Sequence, residues 1–131
     1  MAQHDPADCP VALVVEDDAA IRDLASAVLE ETDLDVIACS SAEAAISVLE
    51  RPDVNVALLF ADIGLEGKMD GLALARTVEK RWPKVRMVVT SGNAGDRSES
   101  LPRRAVFMQK PWRAFDVLVQ ADRATIANRA A

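Results

Sequence analysis

At 131 residues, half of them hydrophobic, the chain has the length of one ordinary domain and the composition of a folded one. Its 21 acidic residues against 15 basic ones leave a formal net charge of -6, which repels a phosphate backbone or an anionic membrane surface and argues against direct nucleic-acid binding. The longest apolar run, Val56 to Ala61, is far short of the roughly 20 residues of a membrane span, and the polar stretch Met1 to Pro10, with the lone His4, reads as a flexible tail and not as a secretory leader.

In chain order, Val11 to Val15 is a short Val-rich run stopped by three acids, the pattern of a strand buried on both faces. From Ala19 to Glu31 the residues Ile21, Leu24, Ala25, Val28 and Leu29 recur at helical spacing, with Asp18 as the expected N-cap. A second strand is expected over Asp35 to Cys39. The helix after it is expected to open on a capping box of Ser40 and Glu43 and to run to about Glu50, before Arg51-Pro52. Val54 to Ala61 is the most apolar segment, and Leu72, Ala75, Val78 and Trp82 mark a third helix that Pro83 stops. Val85 to Thr90 and Ala105 to Gln109 complete five strands, and from about Arg113 a helical stripe carries Phe115, Leu118, Val119 and Ile126. Between the last two strands, Gly92 to Arg104 contains Gly92, Gly95 and Pro102 and is expected to be mostly loop.

Buried strands alternating with amphipathic helices predict a small doubly wound α/β domain over residues 11–131, a five-stranded parallel sheet flanked by helices. The helix between strands four and five is expected to be shortened or replaced by a loop. Cys9 and Cys39 form no CxxC arrangement and read as two reduced thiols of a cytoplasmic protein.

Open parallel sheets build their sites at the carboxyl ends of the strands. Here those ends carry Glu16, Asp17 and Asp18 after the first strand, Asp62 after the third, Thr90 and Ser91 after the fourth, and Lys110-Pro111 after the fifth. Carboxylates gathered on one edge repel one another and call for a cation; oxygen ligands select a hard one, for which Mg2+ fits best. Several of these residues also have plain structural readings. Asp18 serves as a helix cap, Phe107 as core packing, and Trp82 and Trp112 as packing residues.

The run Val14-Val15-Glu16-Asp17, Asp62 after an apolar strand, Met69-Asp70-Gly71, the Thr90-Ser91 pair and Lys110-Pro111 together resemble the receiver domain of two-component response regulators, over about Val11 to Ala130. The resemblance implies a flavodoxin-like receiver fold and a standalone single-domain response regulator. It implies that Asp62 is the phosphoacceptor, that Lys110 pairs with the acyl phosphate, that Thr90 donates its hydroxyl to a phosphate oxygen, and that Phe107 changes rotamer as Thr90 moves. It assigns Mg2+ to Asp17, Asp62 and the backbone carbonyl of Gly64, with Glu16 acting through a water, and a cis bond before Pro111. The implied partners are a sensor histidine kinase or a His-containing phosphotransfer domain and an unknown downstream protein, with neither nucleic acid nor membrane, the chain being monomer or homodimer. It would be a switch that catalyses its own phosphorylation and dephosphorylation and not an enzyme in the usual sense. A phosphate sink or relay intermediate is the alternative.

Two departures from the family pattern stand out. The loop after Asp62 carries one residue more than the commonest spacing and has Glu66 where a proline is usual, while Gly64 and Gly92 leave bare the positions that in the family shade the phosphoryl group from water. The weakened segment from Gly92 to Arg104 is expected to order or shift on phosphorylation.

Overall fold

A computed structural model describes residues 9–92 and 101–130. Its elements in chain order are β1 (Pro10–Val15), α1 (Ala19–Leu29), β2 (Asp35–Cys39), α2 (Ala42–Leu49), β3 (Asn55–Asp62), α3 (Gly71–Arg81), β4 (Arg86–Ser91), β5 (Val106–Gln109) and α4 (Ala114–Ala130). The five strands form one parallel sheet in the order β2-β1-β3-β4-β5, so the strand order reverses between β1 and β3. Clefts open outside the strand ends at such a reversal, because the crossovers leave toward opposite faces.

The side-chain period of two in a strand explains the layering. Val11, Leu13 and Val15 of β1 pack with Ala42, Ala45, Leu74 and Val78 of α2 and α3. The intervening Ala12 and Val14 pack with Ala25, Val28, Val117 and Ala121 of α1 and α4 on the opposite face. A register shift between Val11 and Ala12 leaves Ala57 of β3 without a partner in β1. Both tryptophans pack. Trp112 meets Phe60 edge-on with ring centroids 5.6 Å apart, and Trp82 lies against the α2/α3 half of the core with the Arg81 guanidinium over its ring.

The starts of α1, α2 and α3 follow from short polar side chains before them. Asp18, Ser41 and Asp70 accept hydrogen bonds from the amides of Ile21, Ala44 and Ala73. The expected capping box therefore moves by one residue, from Ser40 to Ser41. Glu43 then lies too early in the helix to return the bond, and its carboxylate goes elsewhere. The stripe read on the last helix is corrected as well. α4 buries Val117, Gln120, Ala121, Ala124 and Thr125, while Phe115 and Ile126 are 71% and 56% exposed. Small residues let α4 lie close to the sheet, and polar pairs fasten it there: Arg86 to Gln120 at 3.0 Å and Asn55 to Asn128 at 3.1 Å.

Of the stretch expected to be loop, residues 93–100 lie outside the described residues, as do residues 1–8 of the expected tail; residues 101–105 carry no helix. Among the described residues no helix is long and apolar enough to cross a membrane. Burial pushes the thiol of Cys39 up to about 11, which favours the protonated, unreactive form.

Gly71 is where backbone meets backbone. A Cβ there would sit 2.1 Å from the carbonyl oxygen of Asp62 and 2.6 Å from Cα of Ile63. The amide of Gly71 donates to the carbonyl of Ile63, which seats α3 directly on the end of β3. We therefore expect Gly71→Ala to lower stability by about 1–3 kcal/mol, because rigid backbone must move to admit one methyl. Urea unfolding checks this, and a parental midpoint would mean that α3 lifts away freely.

Candidate functional site

Four strand ends bring the site together. Glu16 follows β1, and its amide donates to the carbonyl of Cys39 on β2. Asp62 ends β3 in register with Thr90 of β4, and the amide of Ile63 donates to the carbonyl of Thr90 at 2.8 Å. Lys110 follows β5, its amide bonded to the carbonyl of Ser91 at 2.7 Å, and the Lys110-Pro111 peptide is cis as the resemblance implied. Main-chain bonds thus hold each functional residue next to its neighbour.

Carboxylate oxygens of Glu16, Asp17 and Asp62 lie within 4.8 Å of one another. The ammonium of Lys110 sits 2.8 Å from Oε1 of Glu16 and 3.3 Å from Oδ2 of Asp62. One ammonium against three carboxylates leaves the cluster negative. Glu16 is only 4% exposed, and burial pushes its carboxyl above the usual range, with the charge of Asp62 adding to the effect. The bonds from Lys110 and from the Asp18 amide oppose that rise without cancelling it. Burial works against the charge on Lys110, but the Glu16 hydrogen bond and the charges of Asp62 and Glu16 outweigh it, so its pKa is raised. The two rises have different causes: burial for Glu16, and the two neighbouring carboxylates for Lys110.

The donor set is oxygen throughout, half open to water and short of positive charge, which fits a hard divalent cation such as Mg2+. Asp17 is exposed and accepts a bond from the amide of Glu66 at 3.2 Å, while Gly64 donates to Oδ1 of Asp62 at 3.3 Å. The loop after β3 therefore lies across the cluster. Thr90 is buried beside Asp62. Phe107 is half-buried, paired with Val89, and lines a cleft of about 600 Å³ with Met108, Phe115 and Val119.

Three residues have roles that the sequence reading did not assign them. Arg22 places its guanidinium on the carbonyl of Glu16 at 3.0 Å, one helical turn after the Asp18 cap. Glu43 bonds the amide of Met69 at 3.1 Å across 26 positions, a contact no local pattern announces. Gly71 was legible only as part of a motif, without its steric reason.

Residues 12–121 match the family described as the response regulator receiver domain. The response regulator protein FleR of Pseudomonas aeruginosa is 34% identical over 109 residues, which are 81% of this chain and 22% of that protein. The crystal structure of the receiver domain of NtrX from Brucella abortus superposes with a TM-score of 0.76 at 31% identity, covering 86% of this chain and 96% of that one. A response regulator receiver protein from Sinorhizobium medicae reaches a TM-score of 0.82 at 21% identity, over 92% and 97% of the two chains, a likeness of fold. The chain spans a quarter or less of the length of the curated relatives it matches.

Removing the one ammonium tests the electrostatics. In metal-free buffer at pH 8, Lys110→Met is expected to cost about 3 kcal/mol of stability, because it strands two carboxylates without a counter-charge. The loss should shrink toward pH 5: a carboxyl whose folded-state pKa is raised binds its proton more tightly in the native state, so stability rises as pH falls. Urea unfolding at the two pH values checks this, and an equal loss at both contradicts it.

Proposed function

Since the chain belongs to the response regulator receiver domain family, we propose that it is a phosphoacceptor switch in which Asp62 takes a phosphoryl group from the histidine of a kinase or phosphotransfer domain. The observation that carries the proposal is the meeting of Asp62 with Glu16, Asp17 and Lys110 at the strand ends, in register with Thr90.

An Oδ atom of Asp62 attacks phosphorus, and the P–N bond to the donor imidazole breaks, its electron pair staying on nitrogen. Lys110 already touches Oδ2 of Asp62; as charge moves onto the phosphoryl oxygens, the same ammonium follows it. Thr90 offers its hydroxyl to a phosphoryl oxygen from the adjacent strand. Asp17, Asp62 and the Gly64 carbonyl, with Glu16 through a water, would hold Mg2+, which when bound supplies positive charge against the transferring group. Phe107, next in the chain to Met108, the register partner of Thr90, would carry the change toward the cleft it lines with the exposed Phe115. The chain accelerates its own phosphorylation and dephosphorylation, and its output is altered binding to a partner protein.

Incubation with Mg2+ and a small acyl phosphate, read by intact mass, tests the role of Asp62. A phosphoryl adduct is expected on the parent and not on Asp62→Asn; an adduct on both proteins or on neither removes Asp62 from its role.

One observation favours a phosphate sink as the second reading. Among the described residues, a Cβ at Gly92 would meet nothing within 4 Å, and one at Gly64 would meet only the Asp62 carboxylate, at 3.9 Å, so neither position carries a side chain to stand between water and the phosphoryl group. Gly64→Arg and Gly92→Arg are expected to slow dephosphorylation severalfold, measured by time-resolved loss of the adduct. Rates no lower than the parent's would sink this account.

A further inference from the structure

The loop from Ile63 to Asp70 hangs from three carboxylates. Asp62 holds the amide of Gly64 at 3.3 Å, Asp17 holds that of Glu66 at 3.2 Å, and Glu43 holds that of Met69 at 3.1 Å. The first two belong to the acidic cluster. Glu43 does not; it reaches across from the first turn of α2. Between the last two tethers the loop turns at Gly67, whose φ of +114° requires glycine and whose position brings a Cβ to 3.6 Å from Oε1 of Glu43. The two Glu43 oxygens therefore lie along the far limb of the loop, while the near limb carries Gly64.

We infer that Glu43 is a positioning residue for the cation site: by holding the Met69 amide it fixes the loop that carries Gly64 and that bonds Asp17. This inference rests on the proposed Mg2+-dependent reading and deepens it. Without Glu43, Met69 loses its tether. The loop then samples positions in which Glu66 no longer orients Asp17. Cation binding must then order the loop as well as coordinate, and affinity falls. A carboxylate in the first turn of a helix also favours that helix through its dipole, and the two roles separate by charge and reach. Gln keeps the acceptor and the reach but not the charge; Asp keeps the charge but is one methylene short.

Calorimetric titration of the full chain with Mg2+ at 0.15 M salt, alongside urea unfolding without metal, compares the parent with Glu43→Gln, Glu43→Asp and Glu43→Ala. The Asp and Ala variants are expected to weaken Mg2+ binding by about 2- to 10-fold, the range set by one exposed hydrogen bond, while Gln stays within twofold of the parent. Parental affinity in the Ala and Asp variants would overturn the inference, and so would equal weakening by Gln and Ala with Asp unaffected, since charge alone would then be acting. A parent that binds no Mg2+ would overturn the metal reading itself, an outcome distinct from either.

Discussion

The whole strand-end edge is organised around a shortage of positive charge. Glu16 and Asp62 are held against a single ammonium, and Asp17 stands beside them with none. Isolated side chains would relieve such crowding by turning away into water. They cannot here, because Glu16 is buried and each strand end is tied by main-chain hydrogen bonds to the next. Burial pushes the Glu16 carboxyl above the usual range, and the charge of Asp62 adds to the effect. An edge in this state gains from anything that adds positive charge or spreads negative charge over more oxygens, and so it responds to a cation and to a phosphoryl group.

The architecture was legible in the sequence because the central strands are buried on both faces and read as unbroken apolar runs, whereas α1 and α3 show a clean helical period. The strand-end chemistry was legible for the same reason: once β1, β3, β4 and β5 are found, the residues that follow them must share an edge. What stayed hidden depended on depth or distance. The large side chains Phe115 and Ile126 gave α4 its visible stripe, but alanines line the side that meets the sheet, because close approach demands small residues and those carry little periodic signal. A capping box pointed to Ser40 through Glu43, but it is Ser41 that accepts from the Ala44 amide, while Glu43 is engaged by the distant Met69 amide, a contact the local pattern does not carry.

The relatives agree with this division of labour. Chains sharing about a fifth to a third of their residues with this one superpose along most of their length. Main-chain pairing sets the geometry of the edge, so side chains elsewhere can drift.

The sheet also divides the interior into two half-cores, one on each face. Odd positions of β1 serve the layer with α2 and α3, even positions the layer with α1 and α4. A change of volume in one layer reaches the other only through strand backbones, which are stiff along their length. The two flanks of the molecule can therefore accumulate substitutions as nearly separate inheritances, one flank adapting to a new neighbour while the other keeps an old one, with the charged edge common to both.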